Sequence, residues 1–213
     1  ALALPALRGL FPPGAWLARR PLDAGYATRF VLTFSFFGAE AFVPLGLTDL
    51  HGLSTTGAGL ALTASALTWS STSILHSRFD ERTGGRYRAR VALVGTTLVT
   101  LALLLTGLIV TNPALPAWAV GVMWALGGLG MGLAFQSHTL VVFRNAPEGQ
   151  EGEVSGTLQT ADVLGSAIGA GLGGVLVATL GLRAGVTGLF ALTVLVVLLG
   201  QYTTRRLRDL SPA

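Results

Sequence analysis

The sequence contains no cysteine and no lysine, and only 11% of its 213 residues are charged. Without thiols there can be no disulfides and no thiolate metal site. A soluble domain carries roughly a quarter charged residues, so this chain is too poor in charge to coat a water-facing surface. It is 51% hydrophobic, with a mean hydropathy of +0.65. Its apolar residues fall in long runs parted by short polar breaks, and a helix needs about 20 such residues to cross a bilayer. A net charge of +4 and a pI near 10.6 would point a soluble protein toward nucleic acid. Here the arginines sit between apolar runs, so membrane topology accounts for them and no nucleic-acid partner is expected. A phosphate-binding Gly-Lys-Ser/Thr loop, a paired-histidine zinc motif and a nucleophile elbow are all missing. Neither an enzyme, a metal nor a cofactor is therefore expected.

Six runs are predicted to span: 30–50, 55–76, 91–110, 117–143, 154–180 and 183–202. Residues 78–90 read as a charged connection, and Thr111-Asn112-Pro113 with Pro116 as a turn. Short alternating segments, as in a membrane barrel, are not apparent. The fold class is thus all-α, with a bundle over 29–205, a lead over 1–28 and a tail over 206–213. The lead does not read as a signal peptide, because Pro5, Pro12, Pro13 and Pro21 break its short apolar stretches. A start at Ala1 fits a processed or excised piece. Gly165, Gly169 and Gly173 mark one helix face, with Ser166, Ala170 and Gly174 beside them, a spacing that lets backbones approach closely in lipid.

Arginine distribution orients the bundle, since cytoplasmic loops collect basic residues. With six spans, 13 of the 14 arginines fall on one side and only Arg183 on the other. A missed or extra helix would break that alternation. Both termini are expected in the cytoplasm, with the bundle in the plasma (inner) membrane.

Charge at the bilayer centre costs at least about 2.5–3.5 kcal/mol, so intramembrane acids mark function by default. Glu40, about ten residues into the first run, is the leading candidate. Apolar surroundings disfavour a bare carboxylate, which suits a proton-coupling group or a binder of cationic substrates; a protonated glutamate bonded to a neighbouring helix is the structural alternative. Asp162, about eight residues into the fifth run, reads as a second proton or substrate site or as a local backbone-bonding group. His138 and Gln136 lie in the fourth run, His138 as a hydrogen-bonding residue or a proton relay. Trp69 reads as packing rather than a substrate platform, Trp118 as an interface anchor, and His51 with Asp49 as a solvated loop.

The segment Ser77-Arg78-Phe79-Asp80-Glu81-Arg82-Thr83-Gly84-Gly85-Arg86 resembles the loop motif of the major facilitator superfamily, with Glu81 in place of its aspartate and Ser77 in place of its leading glycine. Phe37 to Leu45 is similar to the opening helix of one of that family's halves, and Gly165 to Gly174 resembles its Gly-rich fifth helix, nearest the multidrug efflux branch. The resemblance implies one six-helix half, made of two inverted three-helix repeats, and the arginine-rich lead favours the C-terminal half. It implies a cytoplasmic gating loop at Asp80, Glu81, Arg82, Gly84 and Arg86. It also implies proton-coupled export of small amphipathic molecules by alternating access. The expected partners are the lipid bilayer, substrate, protons and a second six-helix half, either an N-terminal half or another copy. The alternative is a non-transporting half that serves as an interaction or assembly module.

Overall fold

A computed structural model describes residues 21–207. Residues 1–20 of the predicted lead and 208–213 of the predicted tail, with the arginines at 8, 19, 20 and 208, lie outside the described residues; positions 21–28 and Arg206 are helical. The described chain forms α1 (Pro21–Glu40), α2 (Val43–Asp49), α3 (Thr55–Thr83), α4 (Arg88–Val110), α5 (Trp118–Arg144), α6 (Glu151–Leu180) and α7 (Leu182–Arg206), with no strand among the described residues.

α1 and α2 are one broken span over Leu22–Asp49. Pro44 causes the break. It has no N–H to give the carbonyl four residues back, and that carbonyl belongs to Glu40. α1 starts at Pro21 rather than near residue 30, because the apolar run hides a helical lead that contains Arg29. α3 starts where Ser54 accepts a bond from the Gly57 amide at 3.2 Å. It ends at Gly84, whose φ of +60° is a left-handed stop that glycine adopts without strain.

Five spans are long and apolar enough to cross a membrane. α3, predicted as the second span, has 29 residues, about 43 Å of helix. It is more polar than the others, but its threonines bond to backbone carbonyls: Thr63 to Gly59 and Thr68 to Ala64, Ser65 and Ala125 of α5.

The spans form two triplets, α1/α2–α3–α4 and α5–α6–α7. The first helix of each packs alongside the second helix of the other, α1 on α6 and α5 on α3. Glycines make both contacts. On α6, Gly165, Gly169 and Gly173 are buried against α1, Phe42 at the break and α7; on α5, Gly128 and Gly132 meet the α3 backbone at Ser65 and Trp69. The predicted glycine stripe is thus a helix contact, while the neighbouring Ser166, Ala170 and Gly174 are only partly buried or exposed. α4 and α7 pack on each other and on α5 and α1. At the far end, His51 Nε2 donates to the carbonyls of Ile109 and Val110 at 3.0 and 3.1 Å. It caps α4 instead of lying in a solvated loop. Trp118 is 72% exposed.

A Cβ added at Gly169 would sit 3.0 Å from Gly38 Cα, with the Phe34 carbonyl oxygen closer still. Backbone cannot retreat as a side chain can, so Gly169→Leu must force α1 and α6 apart. Overpacking of this kind costs about 1–3 kcal/mol. The expected result is a lower unfolding midpoint in detergent for Gly169→Leu, and a near-unchanged one for Gly171→Leu, where nothing lies within 4 Å.

Candidate functional site: a buried ion pair and an aromatic wall

Positions 29, 33, 36, 37 and 40 share one face of α1 by helical spacing. Arg29, at the inner end of this face, is only 3% exposed. A buried cation must be paired to be tolerated, and Arg29 is held from three sides. Its Nε lies 3.6 Å from Asp162 Oδ1 on α6. Its Nη2 donates to Thr139 Oγ1 on α5. Its Cζ stands 3.6 Å above the centroid of the Phe135 ring, a cation–π geometry. Thr33, one turn on, donates to the Ala161 carbonyl at 3.3 Å, tying α1 to the residue before Asp162. His138 is fully buried and its Nε2 donates to the Gly25 carbonyl at 2.6 Å, closing α5 onto the start of α1.

From Phe135 an aromatic wall climbs toward Glu40. Trp69 of α3 meets Phe135 edge-on at 5.5 Å and stacks on Phe37 at 5.7 Å. Phe36 meets Trp69 at 5.9 Å and stacks on the buried Trp124 at 4.8 Å with 10° between planes. Trp124 and Glu40 are near neighbours, yet the indole nitrogen makes no hydrogen bond of normal geometry among the described residues. Phe37, Trp69, Phe135 and Glu40 are each half-buried. They offer ring edges and a carboxyl group at the partly open front of α1 and α5, which α3 and α6 flank.

Asp162 and His138 of the predicted set are therefore gathered around the same arginine. Asp162 lies 11 residues into α6, about 16 Å deep, because the helix starts earlier than predicted. Gln136, beside Phe135, makes no side-chain hydrogen bond among the described residues. Glu40 is not part of the cluster: 11 residues of α1, about 16 Å, separate it from Arg29. The predicted gating loop is also redistributed. Asp80, Glu81 and Arg82 belong to the last turn of α3, and only Gly84 and Arg86 lie in the connecting turn. Asp80 accepts from Nε of Arg88 at 2.7 Å and from its Nη2, a two-pronged staple across that turn; Glu81, Arg82 and Arg86 are exposed.

Sequence reasoning missed Arg29, assigned to the flank of the first run, and with it Phe36, Trp124 and Phe135. The available signal was Asp162 itself, since an acid deep in a span requires a basic or hydrogen-bonding partner.

Two interlocked helix triplets, with a charge pair between α1 and α6, are the layout of multi-span membrane proteins built from inverted repeats. The chain belongs to the Major Facilitator Superfamily, whose family profile matches residues 25–211, and its fold is that of one half of the family's architecture. A tetracenomycin C resistance and export protein from Streptomyces glaucescens is 31% identical to it over 172 residues, 78% of this chain. The chain spans 30% of the length of that curated relative.

Removing one partner of a buried pair costs about 3–5 kcal/mol, whereas replacing both by apolar groups is often neutral. Asp162→Ala should lower stability in denaturant titrations of the micellar protein by less than that, about 1–3 kcal/mol, because the Asp162 side chain is 25% exposed. The double variant Arg29→Met/Asp162→Leu should recover most of the loss.

Proposed function

We propose that this chain is the C-terminal half of a proton-coupled exporter of small amphipathic molecules, working by alternating access in the plasma (inner) membrane. The observation that carries this reading is the aromatic wall on α1, α3 and α5, bracketed by the Arg29–Asp162 pair and by Glu40. Ring faces and edges offer apolar area with some attraction for cations, and the carboxyl group at the kink adds a site for a proton or a cationic substrate. The export named for the Streptomyces relative points the same way. The clustering of arginines toward one end of the alternating spans supports termini on the cytoplasmic side.

In this reading Glu40 takes up a proton or a substrate cation, while Asp162 keeps Arg29 neutralised and α6 docked on α1. Asp80 and Arg88 hold the α3–α4 turn rigid, so that the half rocks as one body. Substrate would be enclosed only when a second six-helix half covers the front. The exposed apolar residues of α3 and α6, among them Leu67, Ile74, Val163 and Val175, offer a face for it. The same face favours the second reading, an assembly module that does not transport alone.

The test is ethidium efflux from proteoliposomes that hold this chain with a partner half, driven by an imposed pH gradient. Glu40→Gln is expected to lower gradient-driven efflux about a hundredfold, the lower end of the range for a lost proton-transfer group, while dye binding without a gradient survives. Intact pH-driven efflux in this variant would sink the role given to Glu40. Efflux by no form of the pair, together with a stable complex in native mass measurements, would favour the assembly module.

A further inference from the structure

A groove of about 580 Å³ runs between α3 and α4 with α5 as its floor, lined by none of the rings of the aromatic wall. Thr72, Leu75, His76 and Phe79 form one bank and Tyr87, Arg90, Val91 and Val94 the other, above Leu129 and Leu133. Both banks follow one helix face over two turns, about 10 Å. The inner part of the groove is aliphatic, and its mouth lies at the end of the bundle where the arginines gather.

Charge at the mouth has one sign. Arg90 is exposed and in no ion pair among the described residues. Arg86 leans over the Tyr87 ring, its Cζ 4.9 Å from the centroid. The nearest acid, Asp80, is consumed by both prongs of Arg88. Glu81 stands two residues past Phe79, which on a helix turns it away from this bank. Deeper in, His76 is 4% exposed; its Nε2 shares a hydrogen bond with Ser137, and its Nδ1 has no partner.

We propose that this groove binds one anionic phospholipid, with its phosphate at Arg90 and Arg86, its ester region beside His76 and an acyl chain along Leu75, Val91, Val94 and Leu133. Basic pockets between spanning helices are a general means of holding anionic head groups, and the apolar floor supplies the selectivity for a lipid over a free anion. Because one bank is α3, whose Trp69 belongs to the aromatic wall, an occupied groove would hold α3 against α4.

Native mass spectrometry of the full chain in detergent, titrated with dioleoylphosphatidylglycerol or dioleoylphosphatidylcholine, tests the proposal. The anionic lipid should bind about fivefold more tightly, the effect of one basic residue at an anionic lipid surface. Arg90→Gln should shrink that preference with Arg86 still in place, Val94→Trp should weaken both by filling the groove, and Arg205→Gln, at the same end on α7, should change neither. Equal binding of the two lipids by the unaltered chain would overturn the proposal. So would a loss with Arg205→Gln as large as with Arg90→Gln, which means diffuse charge, or unaltered binding by Val94→Trp, which means the groove is not the site.

Discussion

The close approach of α6 to α1, and of α3 to α5, is the constraint on which the remaining features rest. Lipid removes the hydrophobic force between spanning helices, so association depends on tight van der Waals contact. At Gly38 and Gly169 the two backbones touch where a single methyl group would not fit. The same contact recurs between triplets at Gly128 and Ser65. Because the leading helix of each triplet lies against the second helix of the other, neither triplet is a self-contained bundle.

That packing decides where charge can be buried. Asp162 is three residues before Gly165, so the glycine contact that docks α6 also delivers its carboxyl group to Arg29 on α1. The arginine then lies flat on Phe135 of α5, which joins three helices through one side chain. From there the aromatic contacts pass to α3 and back to α1. Ion pair and aromatic wall are consequently parts of one structure, and displacement of any of these helices would be felt along it. The kink at Pro44 places Glu40 at the other end, on a backbone that cannot continue as a regular helix.

The two banks of the groove between α3 and α4 are joined by the Asp80–Arg88 staple and the two left-handed glycines that follow α3. A short, rigid turn keeps the helices at a fixed separation near the arginine-rich end. The segment that resembles the family's loop motif is therefore mainly a helix end and its cap, with Asp80 paired to Arg88 across that turn.

Much of this was legible in the sequence. Run lengths and the arginine alternation determined an all-helical membrane bundle of six spans, because hydrocarbon admits few other folds and basic residues resist translocation. The spacing of Gly165, Gly169 and Gly173 identified a packing face, and Glu40 and Asp162 were conspicuous as acids in apolar surroundings. The partners of those groups were not legible. Arg29 looked like the flank of an apolar run because hydropathy ends a span at a charge, whether or not the charge is neutralised. Its acid lies 133 residues away, and only the swapped packing of the triplets brings the two within 3.6 Å. The sequence ranked Glu40 above Asp162 without giving either a partner; tertiary structure supplied them, since Asp162 faces an arginine across a glycine contact and Glu40 stands at a helix break beside an aromatic wall. Local composition determined what each segment is, while long-range contact decided which charges meet.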